Sequence, residues 1–158
     1  MSKPPPGPEL RNMVLTLDPA KAGMTPTETL PHVWGTVMDI GAERGWASLV
    51  TLADGTTSLY TSGGGGVIGG GAHEPVVEAS ARLLRLIEAG LDLFEPTDDL
   101  DPPGAGQTRF LALTYEGVRG RSAPTAQLAA GEDPLGMIFT AGNDLLTELR
   151  QATARRTD

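Results

Sequence analysis

The chain has 158 residues, 20 of them acidic and 12 basic, for a formal net charge of −8, and it contains no cysteine. That balance argues against a nucleic-acid binder, which needs a basic footprint on phosphates, and against docking on anionic lipid. The missing cysteine removes disulfides, thiolate nucleophiles and Cys-based zinc or iron–sulfur sites, while the length suits one domain with its own core.

Residues 1–9 (MSKPPPGPE) read as a flexible proline-rich tail without the apolar segment of a signal peptide. No apolar run is long enough to span a membrane, and the expected location is cytoplasmic. A single domain is expected over 10–152, followed by a frayed tail at 153–158. Asn12 to Leu17 (NMVLTL) reads as a short strand. Asp18-Pro19 resembles a helix cap with proline in the first turn, but Gly23 limits it to about one turn. Residues 23–32 are loop.

Three strands follow: Val33 to Ile40 (VWGTVMDI), Trp46 to Ala53 (WASLVTLA) and Thr56 to Ser62 (TTSLYTS). The loop Gly41 to Gly45 has hairpin length, and Asp54-Gly55 signals a tight type I′ turn. Together they predict a three-stranded antiparallel meander. It runs into Ser62-Gly63-Gly64-Gly65-Gly66-Val67-Ile68-Gly69-Gly70-Gly71, a stretch with seven glycines. Ordering so much glycine is entropically costly, so its backbone must be needed somewhere.

A helix is expected from Pro75 to about Phe94. Its apolar surface has two rows, Val77, Ala81, Leu84, Ile87, Leu91, Phe94 and Val76, Ala79, Leu83, Leu86, Gly90, Leu93. That is wider than a helix lying on a sheet needs, so a second helix or a second subunit should cover the extra row. Residues 95–107 form an acidic Pro/Gly loop. Thr108 to Glu116 reads as a strand, Gly117 to Gly120 as its turn, and the return strand falls within Arg121 to Leu128, demoted to an edge by Pro124. Asp133-Pro134 starts a last helix running to about residue 152.

The expected fold is α+β: a mainly antiparallel five- to six-stranded sheet built from a meander, a helix, a hairpin and a helix, in two layers. The element order is similar to that of profilin-like, roadblock and longin modules, a resemblance of topology alone. The segment Ala53-Asp54-Gly55-Thr56-Thr57-Ser58-Leu59-Tyr60 running into the glycine stretch resembles a group of uncharacterised bacterial proteins, over the middle and end of the chain. That resemblance implies no activity.

Three readings of the glycine stretch compete. Gly64, Gly66 and Gly69 match G-x-G-x-x-G, but the strand before them closes a hairpin and no second parallel strand follows. An anion cradle would use the backbone of Gly64, Gly65, Gly66, Gly69 and Gly70 at the helix start, with His73 and Glu74 at its rim. Between Asp54 and Ala81 there is no Lys or Arg, so any such site needs Arg82 or a cation distant in sequence. The third reading is steric: close backbone approach, with Val67-Ile68 as an apolar tip.

His73 and Glu74 are adjacent and do not face one another on a helix, and no HExxH or G-x-S-x-G motif occurs. His32 lies in another loop, so a two-His metal site would need tertiary contact. Asp98, Asp99 and Asp101 lack the spacing of a calcium loop. No cofactor and no metal are expected. The first functional expectation is a non-enzymatic module acting by protein contact as a homodimer, through Val67, Ile68, Leu83, Leu86 and Leu93. The alternative is a small-ligand binder or enzyme, for a nucleotide or phosphometabolite, that uses the glycine loop.

Overall fold

The computed structural model describes residues 7–63, 66–68 and 73–157. Gly64, Gly65, Gly69 and Gly70 lie outside that set. Seven strands form one sheet: β1 (Val33–Ala42), β2 (Gly45–Leu52), β3 (Thr57–Thr61), β4 (Gly66–Ile68), β5 (Glu95–Pro96), β6 (Gln107–Thr114) and β7 (Gly117–Pro124). Their order across the sheet is β4-β3-β2-β1-β6-β7-β5, and every neighbouring pair is antiparallel. The helices are α1 (Gly7–Leu15), α2 (Glu74–Ala89), α3 (Thr125–Ala129) and α4 (Gly136–Thr157). The fold is α+β, with the expected meander and hairpin meeting at β1 and β6.

Side chains alternate along the strands, as the period of two requires. Met38 and Leu49 point into a core shared with Leu83, Leu84 and Ile87 of α2 and Leu145 and Leu149 of α4. Val37, Val50, Leu111 and Leu113 point to the opposite face. The two long helices pack on each other and cover the first face, so α4 supplies the cover that the wide apolar surface of α2 demands.

The opposite face carries the main correction to the sequence reading. Residues 12–17 do not form a strand. They belong to the end of α1 and the turn after it, and α1 also takes in residues 7–9 of the expected tail. A short apolar run fits either period. The deciding residues are Leu10, Arg11 and Val14, whose helical spacing turns them onto the sheet beside Trp34, Val37 and Leu111. At the other end, α4 extends to Thr157, through most of the expected frayed tail.

Arg11 is the centre of this packing. Its guanidinium pairs with Asp39 of β1, Nε to Oδ1 at 3.2 Å and Nη2 to Oδ2 at 2.5 Å, and Nη2 also donates to the Leu100 carbonyl at 2.5 Å. Ser48 of β2 donates to Asp39 Oδ1, and Arg11 lies 5.6 Å from the centroid of the Trp46 ring. Arg11 is 4% exposed and Asp39 is fully buried.

Smaller differences have local causes. Asp54 does not adopt the positive φ of a type I′ turn; only Gly55 does, at 95°, and the connection is a longer loop in which Asp54 Oδ1 accepts from Thr56 N at 2.9 Å. α2 stops at Ala89 because Gly90 caps it, and Leu91–Leu93 continue as a 3-10 turn that delivers Phe94 into the core. The β6–β7 turn is only Tyr115-Glu116, so β7 starts at Gly117, earlier than expected. The short α3 occupies Thr125–Ala129, where the sequence pattern reads as the end of the return strand and a loop.

Removing Arg11 leaves a buried carboxylate without its counter-charge. Arg11→Met should therefore cost about 3–5 kcal/mol in urea unfolding, and Arg11→Met with Asp39→Leu should recover most of it. A loss below about 1 kcal/mol in the single variant would show that Asp39 has other compensation.

Candidate functional site

Period two also builds a cleft. On the helix-covered face, β2 presents Leu49, Ala47 and Gly45 in succession, β1 presents Ile40 and Ala42, and β3 presents Leu59 and Thr61. Leu146 and Arg150 of α4, four residues apart and so on one side of the helix, form the opposite wall. The space between them is about 450 Å³, within the range of roughly 300–1,000 Å³ typical of small-ligand sites. Three of its lining residues, Ala42, Gly45 and Ala47, are small.

Polarity changes along the cleft. Its inner end is the cross-strand pair Leu49–Leu59, and next come Ala47 opposite Thr61 and Ile40. The outer end is the β1–β2 turn, where Arg44 follows Glu43 between the paired residues Ala42 and Gly45. Arg44 and Arg150 are both exposed and both line the cleft. Its described lining holds these two arginines and no carboxylate, in a chain of net charge −8.

The glycine stretch starts at this site. Ser62 N donates to the Trp46 carbonyl at 3.0 Å, and Trp46 N donates back to Ser62 Oγ at 3.0 Å. This pair clamps the exit of β3 to the entry of β2. Gly45, at φ 130°, is required here, because a Cβ on it would collide with Ser62 Oγ. Ser62 and Gly63 both line the cleft.

The residues expected at a ligand site are only partly brought together. Gly66 lies in β4, opposite Tyr60, and the antiparallel β3–β4 pair excludes a strand–turn–helix dinucleotide fingerprint at this position. His73 takes the N-cap position of α2 with an extended backbone, and its side chain makes no capping bond. Glu74 is the exposed first residue of that helix. Neither residue lines the cleft as described. Sequence reading missed Arg44, Arg150, Ala47 and Leu146. Arg44 and Arg150, distant from the glycine stretch in sequence, share the cleft's lining with Ser62 and Gly63, and alternating small residues in β1 and β2 are the available signal for the open space.

The expected contact residues divide as well. Val67 and Ile68 are not a loop tip; they pair with Leu59 and Ser58 in β4, which ends the sheet. Leu83 is 1% exposed in the chain's own core, so it is not available to a partner. Leu86 and Leu93 are half-buried at the margin of that core.

Other polar residues are taken up in structure. Asp99 pairs with Arg109 at 3.5 Å, and Arg109 also donates to the Asp101 carbonyl. A second groove of about 370 Å³ runs between α2 and α4, lined by Glu78, Arg82, Asp144 and Glu148. Among the described residues, no three His, Asp or Glu side chains gather as a metal site. Among the described residues, no helix is long and apolar enough to cross a membrane. No family model, curated protein or solved structure matches this chain.

His32 sits far from His73 in the fold's bonding pattern, against Glu88 near the end of α2. Glu88 Oε1 accepts the N–H groups of His32 at 2.7 Å and Val33 at 3.0 Å, and Oε2 meets His32 Nδ1 at 3.0 Å. Burial alone would raise the Glu88 pKa, but these hydrogen bonds and the His32 charge outweigh it and hold it below its ordinary value. A carboxylate lowered by folding stabilises the fold fully above its unfolded pKa, about 4.3, and that share is lost as pH falls through the folded value. The stability gap between the native chain and Glu88→Gln, followed by urea midpoints from pH 6 to pH 3, should therefore narrow as pH falls below about 4. A constant gap would mean that Glu88 contributes through packing rather than charge.

Proposed function

We propose that this protein is a small-molecule-binding module whose ligand occupies the cleft between the β1–β2 hairpin and α4. The observation that carries this reading is the cleft itself: an apolar floor of ligand size, opening on two arginines and the start of the glycine stretch. The contact-module reading loses its main support, because α4 covers the extra apolar row of α2 that pointed to a second subunit. Gly63, at the described start of the glycine stretch, lines the cleft without a side chain to block close approach of a bound molecule.

Ala47 is the test residue, since it is half-buried at the middle of the floor. Ala47→Phe fills the space and should abolish saturable binding of a neutral polarity-sensitive dye such as Nile red, at least tenfold in affinity. Far-UV circular dichroism should be unchanged. Thr61→Phe, on the neighbouring strand, provides an independent block should Ala47→Phe misfold. Equal dye binding by native and folded blocked variants would contradict the reading.

A further inference from the structure

We infer that the ligand of this cleft is a single-chain amphipathic anion, with its apolar chain against Leu49, Leu59 and Leu146 and its charged head between Arg44 and Arg150. This rests on the ligand-binding reading above and adds the chemistry of the molecule. The polarity of the cleft changes in one direction along both walls. Moving outward along β2, the floor passes from the buried Leu49 through Ala47 and Gly45 to the exposed turn that carries Arg44. Moving along α4, the wall passes from half-buried Leu146 to exposed Arg150 one turn later. Both walls thus run from apolar to cationic, and both cationic ends line the same cleft.

The charge is specific to this place. Acidic residues outnumber basic ones, 20 to 12, yet the cleft's described lining has cations and no acid. Neither arginine has an ion pair among the described residues, in contrast to Arg11, Arg109 and Arg121, which pair with Asp39, Asp99 and Asp133. Guanidinium groups bind carboxylate and phosphate alike in a forked geometry, so the shared chemistry is an alkyl chain ending in either group. A neutral chain would bring no counter-charge to the two arginines that line the cleft.

Isothermal titration with decanoate, decyl phosphate and decan-1-ol tests this, each below its micellar concentration. Both anions should bind the native protein roughly tenfold or more tighter than the alcohol, and added salt should weaken the anions only. Arg44→Gln combined with Arg150→Gln should bring the anions to the affinity of the alcohol and leave the alcohol unchanged. If one anion alone binds tightly, the head group is that one. If the alcohol binds native protein as tightly as the anions, or the double variant keeps the preference, the anionic head is overturned while the cleft reading stands. If none of the three binds, and Nile red does not bind either, both fall.

Discussion

The buried Arg11–Asp39 pair is the interaction on which the rest of this structure depends. Asp39 sits in β1, the strand that joins the meander to the β6–β7 hairpin. Its carboxylate is held by Arg11 from α1, by the Ser48 hydroxyl from β2 and, through Arg11, by the carbonyl of Leu100 from the acidic loop. Taking two charges out of water is costly, and an apolar pair of the same size would often be as stable. The pair therefore acts less as added stability than as a constraint: with Asp39 buried, α1 has to sit where its arginine meets that carboxylate.

That constraint reaches the candidate site from behind. Asp39 and Ser48 point to α1, while their chain neighbours Met38, Ile40, Ala47 and Leu49 point to the helices and the cleft. Arg11 also stacks on Trp46, whose backbone exchanges hydrogen bonds with Ser62 at the start of the glycine stretch. The strands that floor the cleft are thus fixed on their far side by charge and on their near side by α2 and α4. A site on such a support can keep an open space that would otherwise collapse.

The parts of the fold legible in the sequence are those with local causes. The meander and the β6–β7 hairpin follow from alternation and turn residues, and the two long helices from apolar rows, with a first-turn proline in α2, whereas α4 begins at Gly136, past Asp133-Pro134. Even the need to cover the extra row of α2 was readable, though whether a helix or another subunit would do it was not. What escaped were effects of distant pairing. Nothing in the sequence marks Arg11 as buried until Asp39 is placed opposite it, and without that pairing the run Val14, Leu15, Leu17 fits a strand as well as a helix. The site escaped for the same reason. Arg44 and Arg150 are 106 positions apart (150 minus 44), and only the register of β1 on β2 and the seat of α4 bring them to one cleft. Ser62 and Gly63, at the start of the glycine stretch, line the cleft, but His73 and Glu74, its sequence neighbours, lie outside the described lining.

Backbone amide shifts, followed in a two-dimensional nitrogen–proton NMR titration with decanoate, test the central claim most directly. Saturable shifts are expected, centred on Ala42, Gly45, Ala47, Thr61 and Leu146, with little change at Glu78 and Asp144 in the groove between the helices. Shifts centred on that groove, or none up to millimolar decanoate, would contradict it.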